Sequence, residues 1–279
     1  MQIVMFTKML KNTGNLPLDK AGDYIARLGF DGADLTVREG GYVLPENVSR
    51  SLPKAVETLN SKGLDVPMIT TSVTDAEKGN AEEIFKTASK CGVRYIKLGY
   101  WIYEGFGKLK KQLEETKRKV DGLYKLSMEY GVTSTIHTHA GRYLTGNPVL
   151  LYLLLEGHDP EWLGAYIDPG HLFAEAGPYG WEMAIDILAP FIKLVAVKNY
   201  RWIKVTDEKR GKTVWKTRML PLKEEIVSWP EVFMCLKRIS FDGCVSVHSE
   251  YKDLGFEDLI RQTKEDLDYL RKVTKKIYG

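Results

Sequence analysis

The sequence predicts a single α/β domain, residues 1–279, folded as a (β/α)8 barrel. Eight apolar runs of strand length recur along the chain, and segments with helical spacing lie between most of them. The runs are short and rich in β-branched residues, as in parallel strands that are buried on both faces. Eight units in 279 residues give about 35 residues per unit, which matches this barrel.

The eight predicted strands are spread from the beginning of the chain almost to its end, at 2–6, 32–37, 66–71, 94–99, 132–137, 163–168, 192–198 and 243–248. Apolar residues at helical spacing predict helices at 18–28, 47–62, 80–91, 107–130, 180–189, 229–239 and 256–276. Gly63, Gly92 and Gly131 stand where three of these helices should end. A doubly wound open sheet is the alternative fold, but no Gly-rich phosphate loop follows the first strand, which favours the barrel.

One predicted connection, the long loop 199–228 after the seventh strand, is too long for a simple turn between a strand and a helix. Loops of this length are usually functional or mobile. Within it, the segment KVTDEKRGKTVW alternates around EKRG at 208–211, which predicts a β-hairpin.

The composition favours a soluble enzyme-like chain with a small-molecule partner. The 40 basic and 37 acidic residues leave a net charge of +3, which disfavours a nucleic-acid partner. Apolar residues make up 44% of the chain, which excludes a disordered protein, yet no run is long enough to span a membrane. The three cysteines have no metal-binding spacing and the N-terminus shows no secretory signal, so we expect a cytoplasmic location.

Four of the five histidines lie at or just after the ends of predicted strands, where barrel enzymes build their active sites. The fifth strand ends in His137 and His139, the sixth leads into Asp168 and His171, and the eighth ends in His248 and Glu250. Side chains two residues apart on a strand share a face. Imidazole and carboxylate donors together suit Zn, Mn, Fe or Co. The alternative is that these polar groups satisfy one another or cap loops.

Other side chains at the same end of the barrel allow two interpretations each. Lys198, which ends an apolar strand, could be a Schiff-base nucleophile or a proton donor, or could form an ion pair with Asp168 or Glu250. Arg38 could bind an anionic or hydroxylated substrate, or pair with Asp34. The aromatic side chains of the predicted loops could stack on a sugar or belong to the core; they are Tyr100, Trp101, Trp181, Tyr200 and Trp202.

Several segments resemble the sugar phosphate isomerase/epimerase family, whose members have a xylose isomerase-like TIM barrel. The segments are GFDGADLTVREGGYVLPENV (29–48), VPMITT (66–71), HTHAG (137–141), IDPGHLFAEAGPYGW (167–181), VAVKNYRW (195–202) and VSVHSEY (245–251). The D-x-x-H pattern at Asp168 and His171 is the most specific of them. The resemblance implies that Asp168 binds a divalent metal and that His171 contacts the substrate.

The chain departs from the usual pattern of that superfamily at three places. Members with a well-formed metal site usually carry glutamates at the ends of strands five and eight and a histidine in strand seven, where this chain has His137, His248 and Ala196. The resemblance then implies a metal held by His137, Asp168 and His248, with Glu250 as a further candidate ligand. Mn, Zn, Co or Fe would suit these donors.

The resemblance implies a metal-dependent isomerase or epimerase that acts on a sugar, keto-sugar or cyclic polyol through an enediolate. We expect Glu250 to be the base, with a pKa tuned towards neutrality, and Lys198 to donate to oxygen. His171 would orient a substrate hydroxyl, and Arg38 and His139, together with Trp181, Tyr200 and Trp202, would bind the substrate.

Two other functions remain open from the sequence. The same site could serve a lyase or hydrolase acting on a keto-sugar, keto-glycoside or keto-inositol, because removal of a proton beside a carbonyl is common to all of these reactions. A non-catalytic sugar-binding barrel is the second alternative, prompted by Ala196. A homo-oligomer is also expected, because related barrels often self-associate through their loops.

Overall fold

Eight parallel strands close into a barrel in which the first strand of the chain pairs with both the second strand and the last one. The structure, a computed structural model, describes residues 1–208, 211–224 and 226–279. The barrel strands are β1 (Gln2–Phe6), β2 (Gly32–Val37), β3 (Asp65–Thr71), β4 (Tyr95–Lys97), β5 (Thr133–His137), β6 (Leu163–Ile167), β7 (Ile192–Val197) and β10 (Cys244–Val247). All eight coincide with predicted strands, so the predicted (β/α)8 barrel is confirmed.

Helices connect the barrel strands along their outer side, and seven of them lie where helical spacing predicts. The described helices are α1 (Lys8–Asn12), α2 (Leu18–Leu28), α3 (Val48–Asn60), α4 (Ala81–Lys90), α5 (Leu109–Tyr130), α6 (Pro148–Leu155), α7 (Pro169–Ala176), α8 (Gly180–Leu188), α9 (Trp229–Arg238) and α10 (Phe256–Tyr278). The short helices α1, α6 and α7 were not predicted. The sequence of α6, PVLLYLLL, is apolar on every side and shows no helical period, and α7 begins with the helix-breaking pair Pro-Gly.

The barrel has an apolar core on each side of its wall. Outward-facing strand residues pack against the helices and form the larger core. The smaller core fills the barrel interior and consists of Val4, Met68, Tyr95, Tyr166, Leu194, Ala196 and Cys244. Because side chains alternate along a strand, the inward row continues past Tyr166 to Asp168 and past Ala196 to Lys198. The interior therefore changes from apolar to charged towards the carboxyl ends of the strands.

A β-hairpin projects from the barrel after β7. Its strands, β8 (Asn199–Asp207) and β9 (Lys212–Leu220), pair antiparallel over their whole length, which confirms the predicted hairpin. Of the predicted turn at 208–211, residues 209 and 210 lie outside the described residues. Asn199 closes the base of the hairpin, because its Nδ2 donates to the Pro221 carbonyl at 3.2 Å and its Oδ1 accepts from the Val227 amide at 3.3 Å.

None of the helices in the described residues combines the length with the apolar character that crossing a membrane requires.

Gly32 allows β2 to approach β3 closely. A Cβ atom added at Gly32 would lie 2.2 Å from the backbone carbonyl oxygen of Asp65, which cannot move without breaking the strand pairing. We therefore expect Gly32→Ala to lower the free energy of unfolding by about 3 kcal/mol, the upper end of the range for overpacked sites. Urea denaturation monitored by circular dichroism measures this change.

Gly255→Ala is the control for Gly32→Ala. A Cβ atom at Gly255 meets no atom within 4 Å, so only the loss of a good helix N-cap residue remains, at about 1 kcal/mol or less. Equal losses in the two variants would contradict the close approach at Gly32.

Candidate active site

A cavity of about 190 Å³ opens where the barrel strands end. Its lining combines residues from all eight barrel strands or the loops that follow them: Phe6, Lys8, Arg38, Thr70, Lys97, Tyr100, His137, His139, Tyr143, Tyr166, Lys198, His248 and Glu250. A second cavity of about 530 Å³ lies against the hairpin and shares Lys8, His139 and Glu250 with the first. Most of the predicted site residues therefore converge on one pair of adjoining cavities.

The predicted aromatic residues do not share one environment. Tyr200 lines the outer cavity together with His171. Trp181 instead belongs to the hydrophobic core, where α8 turns it inward. Trp202 is 47% exposed on the hairpin and donates its Nε1–H to the Ala174 carbonyl. Neither tryptophan is among the described residues that line the two cavities.

Lys198 lies at the centre of the site and is 1% exposed. Its Nζ is 3.1 Å from Glu250 Oε2, 3.2 Å from Asp168 Oδ2 and 3.2 Å from His171 Nε2. Burial alone would lower the pKa of Lys198, but the neighbouring acidic groups, Asp168 first and Glu250 among them, together outweigh burial and hold that pKa well above its ordinary value. The side chain is therefore a charged ammonium in an ion pair, which favours that alternative over an amine nucleophile.

Glu250 accepts from two ammonium groups. Its Oε1 is 2.5 Å from Lys8 Nζ, and its Oε2 faces Lys198. Burial would raise the pKa of Glu250, but Lys198, His248 and Lys8 together outweigh burial and keep this pKa well below its ordinary value. The expectation of a pKa tuned towards neutrality is therefore wrong for the free protein. The largest lowering contribution comes from Lys198, and Lys8 adds a smaller one that the residues of the eighth strand alone do not reveal.

Two tyrosine hydroxyls hold the buried histidines. Tyr100 Oη is 2.9 Å from His137 Nδ1, and Tyr166 Oη is 2.8 Å from His248 Nε2. His248 also stacks on the ring of Phe6, with 4.4 Å between the centroids. Burial lowers the pKa of both histidines, that of His248 to about 4, so both rings are neutral at physiological pH.

The rings of His139 and His171 lie against each other at the junction of the two cavities, with centroids 3.9 Å apart. His139 Nδ1 is 2.8 Å from the Ala140 carbonyl oxygen, which can only accept a hydrogen bond. The proton of this neutral ring is therefore on Nδ1, and Nε2 carries a lone pair. Burial lowers the pKa of His139 to about 4, so Nε2 remains a proton acceptor at neutral pH.

Arg38 and Lys97 are the cations of the inner cavity for which the described residues provide no ion-pair partner within contact distance. The guanidinium of Arg38 lies 5.7 Å from the centre of the Phe6 ring. It is not paired with Asp34, whose oxygens instead accept hydrogen bonds from Thr70 and Ser246 at 2.6 and 2.9 Å. Lys97 is 2% exposed, and burial lowers its pKa well below the ordinary value.

Sequence reasoning missed the residues that position the site from inside the barrel, chiefly Tyr166 and Asp34. Strand alternation contained the signal, because Tyr166 precedes Asp168 by two residues and so faces the same way. Asp34 was considered only as a partner of Arg38.

The family can be identified from a model of related sequences. The model described as "Xylose isomerase-like TIM barrel" matches residues 23–273, which is most of the chain. The chain belongs to the xylose isomerase-like TIM barrel family. No curated protein sequence matches the chain at a significant level.

Several solved structures have the same fold at low sequence identity. A xylose isomerase-like TIM barrel protein from Mycobacterium smegmatis, in complex with magnesium, has 16% identity and a TM-score of 0.72, covering 100% of this chain and 98% of its own. The 3-keto-D-glucoside 4-epimerase YcjR from E. coli has 14% identity and a TM-score of 0.69, covering 98% and 99%. The probable 3-DHS dehydratase AsbF from Bacillus anthracis has 17% identity and a TM-score of 0.70, covering 97% and 99%.

The metal site implied by the family resemblance does not fit the arrangement of the side chains. Within the described residues, no group of three or more His, Cys, Asp or Glu side chains is placed to hold a metal ion. His137 Nε2 and Asp168 Oδ2 do face each other at 3.4 Å without hydrogen-bond partners among those residues, as two ligands of one ion would. However, Tyr166 engages His248 Nε2, and the ammonium of Lys198 already neutralises the Asp168 oxygen that a metal would need.

Asp34 gives the site a testable pH dependence. Burial raises its pKa from 3.8 to about 6 in the folded protein. Between these values the unfolded carboxyl ionises while the folded one stays protonated, so a rise in pH through this window favours unfolding. Asp34→Asn cannot ionise, and its stability relative to the wild type should improve between pH 4 and pH 7 by on the order of 2–3 kcal/mol.

Urea denaturation at the two pH values measures this difference. Asp242→Asn, at an exposed position, is the matched control and should show no such change. A stability difference for Asp34→Asn that does not vary with pH would contradict the raised pKa.

Proposed function

We propose that this xylose isomerase-like protein is an enzyme that moves a proton at the carbon beside a carbonyl group, as an isomerase or epimerase of a sugar, keto-sugar or cyclic polyol. The observation that carries the proposal is the contact between Glu250 and Lys198. It places a carboxylate and an ammonium 3.1 Å apart on the wall of one cavity at the carboxyl ends of the strands. Proton removal beside a carbonyl is accelerated by a proton acceptor together with a hydrogen-bond donor or positive charge at the carbonyl oxygen.

Lys198 binds the carbonyl oxygen in this proposal, and its charge stabilises the enediolate oxygen that forms when the proton leaves. Glu250 accepts the proton. In the free protein the ammonium group of Lys198 keeps the pKa of Glu250 low, which makes the carboxylate a weak base. When the ammonium of Lys198 forms a hydrogen bond with the carbonyl oxygen of the substrate, the contact between Lys198 and Glu250 weakens. The pKa of Glu250 then rises, and its carboxylate becomes a stronger base.

The remaining cavity residues would bind the hydroxyl groups of the substrate. His171 and the lone pair at His139 Nε2 face the junction of the two cavities, where they can orient a hydroxyl. Arg38 brings a guanidinium with no described ion-pair partner to the inner cavity, and Tyr200 brings an aromatic ring to the outer one. No step of the proposal passes through a metal ion, because the predicted ligands His137, Asp168 and His248 are not arranged to hold one.

A lyase is the second candidate, favoured by the same Glu250–Lys198 pair, because elimination begins with the same proton removal. The probable 3-DHS dehydratase from Bacillus anthracis has the same fold, which supports this second candidate. The product mass separates the two reactions: isomerisation preserves the mass, and dehydration loses water. The cytoplasmic location and a homo-oligomeric state remain predictions.

Glu250→Gln tests the base. The wild-type protein, incubated in heavy water with a panel of ketoses, keto-glycosides and keto-inositols, should incorporate deuterium at the carbon beside the carbonyl of its substrate. We expect Glu250→Gln to reduce this exchange by about 10²- to 10⁴-fold, the usual contribution of a general base. Nuclear magnetic resonance and mass spectrometry measure the exchange and the product mass.

Glu265→Gln is the control, because this exposed glutamate on α10 lies away from the cavities and pairs with Lys223. Circular dichroism verifies that both variants fold. A Glu250→Gln protein that is folded and exchanges at the wild-type rate would overturn the role of Glu250. Binding of a ketose without exchange would point to the non-catalytic sugar-binding barrel.

A further inference from the structure

The ammonium group of Lys198 has the surroundings that a metal ion usually has in a protein. Three acceptors from three different segments surround its Nζ at 3.1–3.2 Å: Asp168 Oδ2, Glu250 Oε2 and His171 Nε2. The ammonium donates hydrogen bonds to Glu250 Oε2 and His171 Nε2, and it forms an ion pair with Asp168 Oδ2. Its side chain is 1% exposed, and that of Asp168 is fully buried.

The charges of this buried cluster are already balanced. Asp168 and Glu250 contribute two negative charges, and Lys198 and Lys8 contribute two positive charges within ion-pair distance. A divalent cation placed on Asp168 would add two further positive charges at a site from which water is largely excluded. Such uncompensated charge is costly, so the ion could bind only if the ammonium left.

Among the described residues, the potential ligands near Lys198 are also not arranged in a group of three or more that could hold an ion. His248 Nε2 is held by the hydroxyl of Tyr166, 2.8 Å away. On β7, the inward position that precedes Lys198 is Ala196, whose methyl group belongs to the apolar core of the barrel interior and cannot bind a metal ion. Ala196 is paired in register with Ser246 of β10, so the neighbouring strand supplies a hydroxyl that is already bonded to Asp34.

We propose that the ammonium of Lys198 takes the place of a divalent metal ion in this protein, so that proton transfer proceeds without a metal. The inference rests on the proposed function. Glu250 takes the proton, the C–H electron pair becomes the C=C bond of the enediol, and the carbonyl π pair moves to the oxygen. That oxygen takes a hydrogen from Lys198 Nζ. Glu250 then returns its proton to the former carbonyl carbon, while the neighbouring hydroxyl becomes the new carbonyl and gives its hydrogen to Lys198 Nζ. Charge and atoms balance within the protein and its substrate, without a co-reactant.

The first experiment examines the wild-type protein. Metal content by mass spectrometry and calorimetric titration with Zn²⁺ and Mn²⁺ should show no stoichiometric binding, and deuterium exchange should be unchanged in excess EDTA. Stoichiometric binding with exchange that EDTA abolishes would overturn the inference while leaving the proposed function intact.

The second experiment removes the ammonium. Lys198→Met should reduce exchange by roughly 10²- to 10³-fold, the effect of losing one donor to a developing oxyanion. The same variant should gain measurable affinity for Zn²⁺, because Asp168, Glu250 and His171 lose the cation that they surround. The additional change Asp168→Asn should abolish that gain. Circular dichroism verifies folding, and Lys198→Ala serves if Lys198→Met does not fold.

Lys97→Met is the matched control for metal affinity. Lys97 is also buried and lines the same cavity, but it makes no ion pair with a described carboxylate, so its loss should not create a Zn²⁺ site. If no substrate in the panel undergoes exchange, the proposed function fails. The Zn²⁺ titrations then still test whether Lys198 takes the place of a metal ion. Zn²⁺ binding by Lys198→Met but not by the wild type supports it, and Zn²⁺ binding by the wild type or by neither protein overturns it.

Discussion

The ion pairs of Lys198 with Asp168 and Glu250 are the interactions on which the arrangement of the barrel mouth depends. A charge that is nearly inaccessible to water is tolerated only where opposite charges surround it. The two acidic residues follow β6 and β10, so the ammonium fixes these chain segments relative to each other. Lys8 joins the first connection to the same cluster through Glu250. Four buried or half-buried side chains thereby hold the ends of the barrel strands in one electrostatic arrangement.

Much of the fold could be predicted because its signals are local. Buried strands are marked by short β-branched runs, and most helices by apolar spacing that a single segment contains. The helix α6 lacked that signal because it is apolar on every side. Trp181 illustrates the opposite case, since its spacing with Ala184, Ile185 and Leu188 marks the buried face of α8 and could have assigned it to the core.

The residues of the candidate site could be predicted from the sequence, but their ion pairs and pKa shifts could not. Barrel topology brings the ends of all strands together, so His137, Asp168, Lys198 and Glu250 could be expected to meet from their positions alone. Whether a carboxylate becomes more or less acidic depends on which long side chains reach it. Lys8 is 242 residues from Glu250 along the chain, and only the closed barrel brings the two into contact. Likewise, the position of the Lys198 ammonium decides whether the carboxylates and histidines of the cavity form a metal site or an ion-pair cluster.

The amide side chain of Asn199 has a consequence for how this barrel can diversify. Because both of its ends are hydrogen-bonded at the root of the β8–β9 hairpin, the hairpin leaves and rejoins the barrel at a fixed point. Residues of the hairpin form part of the wall of the outer cavity, whereas the charged cluster belongs to the barrel strands and their loops. Substitutions, or a change in hairpin length, can therefore reshape the entrance for a different molecule while the reactive centre keeps its geometry. In this architecture, the hairpin can vary the shape of the entrance independently of the barrel strands and loops that carry the charged cluster.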